Sequence, residues 1–215
     1  MTTLDKQAQF WDNAAEKYSK DPIADMEGYT YTLERTRSYL SVTDHVLELG
    51  CGTGSTALEL AGSVAKITAS DIAPKMIQIA KEKAEKEAVT NIDFLAADLF
   101  DPANETGPFD AVLAHNLLHL VKELPEALNR INGLLKPNGL FISKTFCVDP
   151  EHLSSKIRVM KAILPLMQMI GKAPFVTFMT STQYEQAITT AGFKIIETGN
   201  YPSTEARRYV VAKKL

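Results

Sequence analysis

The sequence predicts an α/β fold: a doubly wound sheet of seven strands, mostly parallel with an antiparallel last strand, and helices on both faces. Three observations predict it. Short apolar runs alternate with segments of helical period between residues 45 and 145, the rhythm of strands joined by crossover helices. The first run ends in a glycine-rich turn, Gly50-Cys51-Gly52-Thr53-Gly54, that opens a helix. Polar or glycine features also follow successive strands at the same end: that turn, Asp71, Asp98 and His115. Right-handed crossovers bring those ends to one edge of the sheet, where ligands of such folds bind.

The elements follow in order. Residues 5–20 read as a helix with Phe10, Ala14, Ala15 and Tyr18 near one face, stopped by Asp21-Pro22. A second helix is expected over 29–40. Strands are expected at 45–49, 66–70, 92–96, 109–114 and 140–145, with helices at 55–61, 74–88 and 124–135 between them. Lys136-Pro137-Asn138-Gly139 reads as the turn into the fifth strand. Residues 147–182 break the rhythm. They hold Met160, Met167, Met169 and Met179 and a helical stripe of Ile157, Met160, Leu164 and Met167, which Pro165 should kink or divide. A helix over 182–191, capped near Thr180 or Ser181 and closed by Gly192, leads to two last strands, 193–197 and 208–213.

Bulk properties narrow the function classes. At 215 residues, 45% hydrophobic and 23% charged, the chain suits one soluble domain over 1–215, with 1–40 as a helical cap and 147–182 as a helical insertion or lid. A net charge of −3 gives no basic footprint for nucleic acid. The opening Met1-Thr2-Thr3-Leu4-Asp5-Lys6 is polar, no apolar run is long enough to span a membrane, and Cys51 and Cys147 lie far apart. The expectation is a cytoplasmic protein without disulfides or a membrane span.

The glycine turn carries the chemistry. Glycine lets backbone approach a ligand closely. Dinucleotide enzymes use G-x-G-x-x-G; here the spacing is Gly50-x-Gly52-x-Gly54, with Ser55 in the third dinucleotide position and Glu48 two residues ahead of Gly50. From these residues the sequence resembles the class I S-adenosylmethionine-dependent methyltransferases of Rossmann-like fold, and most closely the small-molecule branch that includes the ubiquinone and menaquinone biosynthesis methyltransferases. Further motifs carry the resemblance: Ser70-Asp71-Ile72-Ala73-Pro74-Lys75-Met76, Ala96-Ala97-Asp98-Leu99, Phe109-Asp110-Ala111-Val112-Leu113, Leu135-Lys136-Pro137-Asn138-Gly139-Leu140, and the opening Trp11-Asp12-x-x-Ala15-x-x-Tyr18.

The resemblance implies roles position by position. Glu48 belongs to the signature. Gly50, Cys51, Gly52 and Gly54 would pass the amino-acid end and ribose of S-adenosylmethionine. Asp71 would accept from the ribose hydroxyls, Asp98 and the Leu99 amide would read the adenine edge, and Ile72 and Met76 would cover its faces. The Ala114 or His115 carbonyl would take the methionine ammonium, and Tyr18 would reach its carboxylate. S-adenosylhomocysteine would be the product.

Methyl transfer from a sulfonium is an in-line displacement that needs collinear reactants and no metal. A base helps where the acceptor must lose a proton. His115 and His119 are the candidates, and their i, i+4 spacing puts both on one face if the segment is helical. The same pair resembles part of a metal site, but no third ligand accompanies it. Cys51 reads as a small loop residue and Cys147 as core or pocket wall. Trp11, Tyr18 and Tyr29, with Met160 and Met167 of the insertion, are candidates for the acceptor pocket; the same apolar stripe also suits docking on the core or a dimer contact. Arg35, Arg37, Lys144 and Arg158 suit either a positive rim or a solvated surface. The expected partner is a small-molecule acceptor, in a monomer or homodimer. Three other readings stand beside it: a protein or RNA methyltransferase, which lacks the Asn-Pro-Pro-Tyr type of signature here; a nicotinamide-dependent oxidoreductase; and a binding protein without turnover.

Overall fold

The computed structural model describes residues 3–150, 153–201 and 207–215. Two helices, α1 (Thr3–Lys20) and α2 (Met26–Ser38), precede the alternating part: β1 (His45–Leu49), α3 (Ser55–Ala61), β2 (Lys66–Asp71), α4 (Pro74–Lys86), β3 (Ile92–Ala96), β4 (Phe109–His115), α5 (Leu124–Leu134) and β5 (Leu135–Phe146). Then come α6 (Ser155–Met169), α7 (Ser181–Thr190), β6 (Phe193–Asn200) and β7 (Arg207–Lys214). The seven strands form one sheet in the order β3-β2-β1-β4-β5-β7-β6.

β1 is central because its apolar residues have two faces to cover. Leu47 and Leu49 join Phe109, Val112, Leu128, Phe141 and Ile188 on one face; Val46 joins Leu60, Ile67, Ile77, Leu113 and Tyr209 on the other. Alternate side chains of a strand point to opposite faces, so a strand buried on both sides reads as a continuous apolar run. The chain first winds outward through β2 and β3, then crosses to β4 on the other side of β1. That reversal opens a crevice beyond β1 and β4, the switch point of such sheets.

β7 runs antiparallel to both its neighbours, β5 and β6, as expected for the last strand. Its first residue therefore stands at the edge where the parallel strands end, with Arg207 opposite Phe146.

Some local expectations change. The segment 136–139 is not a turn ahead of β5 but a bulge inside it. Phe109 pairs with Leu135 and Ala111 with Leu140, so four residues oppose the single Asp110. Asn138 takes the left-handed conformation there (φ 63°), and Lys136 Nζ pairs with Asp110 at 2.7 Å. α2 starts at Met26, ahead of residue 29, because the Asp25 side chain accepts from the Gly28 amide at 3.0 Å. α4 ends at Lys86, short of residue 88, where left-handed Ala88 (φ 54°) turns the chain back; the Ala88 and Val89 amides cap the Glu85 and Ala84 carbonyls. α6 runs through Pro165 undivided. Among the described residues, no helix is long and apolar enough to cross a membrane.

Candidate active site

The glycine turn is held from both sides. The Cys51 amide donates to the Ser70 carbonyl on β2 (2.9 Å), and the Gly54 amide closes back on the Cys51 carbonyl (3.0 Å). Gly50, Gly52 and Gly54 all adopt left-handed backbone, with φ of 67°, 54° and 75°, which strains any residue with a Cβ. Their surroundings differ. A Cβ on Gly50 would meet Leu117 at 2.9 Å, and one on Gly54 would meet Ala80 at 2.9 Å and Phe94 at 3.0 Å. A Cβ on Gly52 would find only the Tyr18 ring, at 3.7 Å. Two of the glycines allow packing; the middle one leaves backbone open to the crevice.

Two carboxyl groups sit beside this turn. Asp71, ending β2, accepts from the Gly52 amide and the Ala73 amide, both at 2.9 Å. Each oxygen keeps a second lone pair for a ligand hydroxyl. Glu48 is 3% exposed, and its Oε2 is buried without a hydrogen-bond partner. Burial, with Asp71 adding to it, pushes this carboxyl up to about 8. At neutral pH Glu48 is largely protonated and can donate a hydrogen bond.

The next strand end is fixed as firmly. The Ala97 amide donates to the Asp71 carbonyl at 2.9 Å, joining the two acid-bearing ends. Asp98 Oδ1 accepts from the Phe100 amide (2.6 Å), and buried Asn104 donates to the Asp98 carbonyl (2.7 Å). Arg130 of α5 donates to the Leu99 carbonyl at 2.9 Å, while the Leu99 side chain lies in the core. Ile72 is half-buried and Met76 is 2% exposed.

α1 lies across the start of α4. Trp11 packs with Ala15, Ala73 and Met76, and Asp12 accepts from the Lys75 amide at 2.8 Å. Two turns of α1 further on, Tyr18 stands edge-on to Trp11 (6.4 Å between centroids) and over Gly52. Burial and the neighbouring Asp71 and Glu48 raise its pKa, although its side chain keeps one open side, the residue being 53% exposed. Tyr29 of α2 comes to the same place, its hydroxyl buried beside Thr56 and close to Glu48. Tyr18 and Tyr29 thus gather at the glycine turn, with Trp11 behind Tyr18.

β4 brings buried Ala114 and then His115 to the edge. Left-handed Asn116 (φ 57°) and a 3-10 turn at Leu118–Leu120 follow. No α-helix joins His115 to His119, so their i, i+4 spacing does not make a shared helical face. His115 Nε2 and His119 Nδ1 are each buried without a partner. Burial, helped by Lys144 in one case and Arg207 in the other, pulls both rings down to about 4. Both are neutral at pH 7. His119 stands edge-on to Phe146 at 6.1 Å.

Several candidates fall elsewhere. Met160 is 40% exposed and Met167 half-buried on α6. Arg35 pairs with Glu197 and Arg37 with Glu34, ties that serve α2. Lys144 is buried and donates to the Gly28 carbonyl (3.1 Å) and Thr32 Oγ1 (3.4 Å), strapping α2 to β5. Cys51 and Cys147 are free and buried; burial raises both thiols, that of Cys147 to about 12, which keeps them unreactive. Among the described residues no cluster of three His, Cys, Asp or Glu is placed to hold a metal. Sequence reasoning missed Arg207, which the antiparallel β7 brings near His119 and Tyr18. Its signal was the antiparallel last strand itself, whose first residue must lie at the ligand edge.

The model of a methyltransferase domain matches residues 40–192, the stretch from the end of α2 to the close of α7. The chain belongs to the methyltransferase domain family. Among curated relatives, this methyltransferase domain is 35% identical over 100 residues to a ubiquinone biosynthesis O-methyltransferase of Methylocella silvestris (46% of this chain, 39% of that protein). It is 33% identical over 110 residues to the demethylmenaquinone methyltransferase of Lactococcus lactis (50% and 42%). It is 31% identical over 168 residues to the human mitochondrial arginine-hydroxylase NDUFAF5 (70% and 47%). The chain spans under half the length of these three relatives. Among solved structures, the geranyl diphosphate C-methyltransferase of Streptomyces coelicolor, in complex with S-adenosyl-L-homocysteine, superposes with a TM-score of 0.75 at 13% identity, covering 100% of this chain and 99% of that one. The [4+2]-cyclase SpnF superposes equally well, with a TM-score of 0.75 at 17% identity, covering 100% and 97%. At such identities the likeness is one of fold.

Proposed function

We propose that this methyltransferase domain binds S-adenosylmethionine along the glycine turn and transfers its methyl group to a small-molecule acceptor held under α1 and α2, releasing S-adenosylhomocysteine. One observation carries the reading: left-handed Gly52 leaves open backbone between the carboxyl of Asp71 and the ring of Tyr18.

The residues fit that cofactor. Asp71 retains lone pairs for a ribose diol. Glu48 Oε2 is an orphaned buried polar atom beside the turn, which a bound polar ligand would satisfy. Asp98 and the Leu99 amide, clamped by Asn104 and Arg130, stand ready at the next strand end for an adenine edge, with Ile72 and Met76 against its faces. The cofactor supplies a methyl group already activated on a sulfonium. The chain's task is to hold the acceptor in line with it and exclude water. The Ala114 and His115 backbone, Cys51 and the three glycines border the amino-acid end. Trp11, Tyr18 and Tyr29 supply aromatic walls. His115 and His119 are neutral and can accept a hydrogen bond from the acceptor; conjugate acids near 4 make them orienting groups more than strong bases. Within this reading residues 1–215 act as one domain, with 1–40 as its cap and 147–182 as an insertion at its rim. The two quinone methyltransferase relatives support a small acceptor, and the human arginine-hydroxylase supports a second reading, action on a protein side chain.

Calorimetric titration with S-adenosylhomocysteine and with NAD tests the cofactor: binding of the first and not the second is expected. Labelled S-adenosylmethionine incubated with separate metabolite and protein extracts tests the acceptor. Label in a small molecule is expected; label confined to protein would replace the proposal with the second reading.

A further inference from the structure

Among the described helices, α6 alone has no described side chain that is buried. Ile157, Leu164 and Gln168, at i, i+7 and i+11, are half-buried and mark the side that meets the body. The opposite side is not polar. Val159, Ile163, Leu166 and Ile170 follow the i, i+4, i+7, i+11 pattern of a single helical stripe, and they are 57%, 48%, 60% and 56% exposed. Met169, next to the stripe, is 84% exposed. A soluble surface rarely gathers that many large apolar side chains in one patch without a use for it.

The charge around the stripe is one-sided. Residues 152–184 contain Lys156, Arg158, Lys161 and Lys172 and no Asp or Glu, in a chain whose net charge is −3. Arg158 is exposed beside the stripe. Lys161, one turn beyond Ile157, turns the other way, over the Phe178 ring of the body at 4.7 Å. A second copy docking stripe to stripe would bring two copies of Arg158 toward each other with no acid on either helix to offset them. An anionic lipid surface meets both features at once: acyl chains for the apolar stripe, and headgroup charge for Arg158 beside it in a segment without acids.

The segment also sits at the functional edge. The Thr177 amide donates to the His119 carbonyl at 2.7 Å, and the Val148 amide to the Met179 carbonyl at 2.8 Å. Both ends of the excursion are therefore tied to the rim of the crevice.

We infer that α6 is a peripheral membrane-docking helix, which lays Val159, Ile163, Leu166 and Ile170 into the interface of an anionic bilayer. The inference stands whether or not methyl transfer is the reaction. The test is cosedimentation of the full chain with phosphatidylcholine vesicles, with and without phosphatidylglycerol. Binding to the anionic vesicles, released by salt, is expected. The double variant Ile163→Ser, Leu166→Ser should abolish it. Arg158→Gln should weaken it roughly fivefold, one cation being worth about that factor at such a surface. All three residues are exposed, so unchanged far-UV dichroism and S-adenosylhomocysteine binding would report an intact fold. Failure to bind anionic vesicles, or equal binding by the serine variant, would overturn the inference. So would a concentration-dependent dimer, seen by sedimentation, that the serine variant splits.

Discussion

α5 and α6 both carry a proline and an apolar stripe, yet one is a core helix and the other lies on the surface. α5 places Pro125 in its first turn, where a missing amide costs nothing, and buries Ala127, Leu128, Ile131 and Leu134 against the sheet. α6 carries Pro165 in its interior, sends a narrow stripe inward and a broader one outward. Periodicity reveals that a helix has an apolar side. It does not reveal whether the fold supplies something to cover it.

The largest expected effect sharpens that contrast. Leu128→Ala in α5 removes a fully buried side chain and should cost about 2–5 kcal/mol in chemical unfolding. At the other end of the scale, Leu166→Ala in α6 should change stability by less than about 0.5 kcal/mol. Comparable losses at both sites would break the comparison.

Between these extremes lie the residues of the crevice. Asp71→Ala removes the acceptor for the Gly52 and Ala73 amides and, in the proposed site, for a ribose, and should weaken S-adenosylhomocysteine binding about 100-fold by calorimetry. Glu48 is next. Its folded-state carboxyl, near 8, stands above the ordinary 4.5, so the unfolded chain releases its proton first. The stability this group contributes is full below about pH 4.5 and is lost as pH rises toward 8. Glu48→Gln should therefore lose less thermal stability than the parent between about pH 5 and 8, a difference on the order of 3 kcal/mol; parallel melting curves would show that Glu48 is already ionised. For His119→Gln the expected loss in kcat is under about tenfold, with an unchanged pH-rate profile from about 6 to 8, because the ring is neutral throughout. Disappearance of a titration in that range would make His119 the base instead.

What was legible in the sequence divides along the same line. β1 through β4, the glycine turn and its two acids follow from local patterns: apolar runs, turn residues and polar strand ends. Those patterns are read within a few residues of where they act. The bulge at 136–139 was half-legible, since its turn chemistry is local but its pairing with Asp110 is not. The histidine spacing misled because left-handed Asn116 ends any helix between the two rings. The fates of Lys144 and Arg35 were illegible, because each is settled by a partner over a hundred residues away, Gly28 in one case and Glu197 in the other. Arg207 escaped notice for a related reason: its position depends on the direction of a strand, which no single residue encodes.

The place of β7 has a consequence for how the protein comes into being. Strands are made in one order and paired in another. When β6 has been synthesised, the strand it will pair with is still to come, and the flank of β5 is open. Only with residues 207–214 does a strand arrive that pairs on both sides and joins the two. The earlier β1–β5 sheet can assemble during translation, but β6 waits. Until β7 inserts, the flanks of β5 and β6 that it will join stay open, the form in which sheet proteins are most open to pairing with the wrong neighbour.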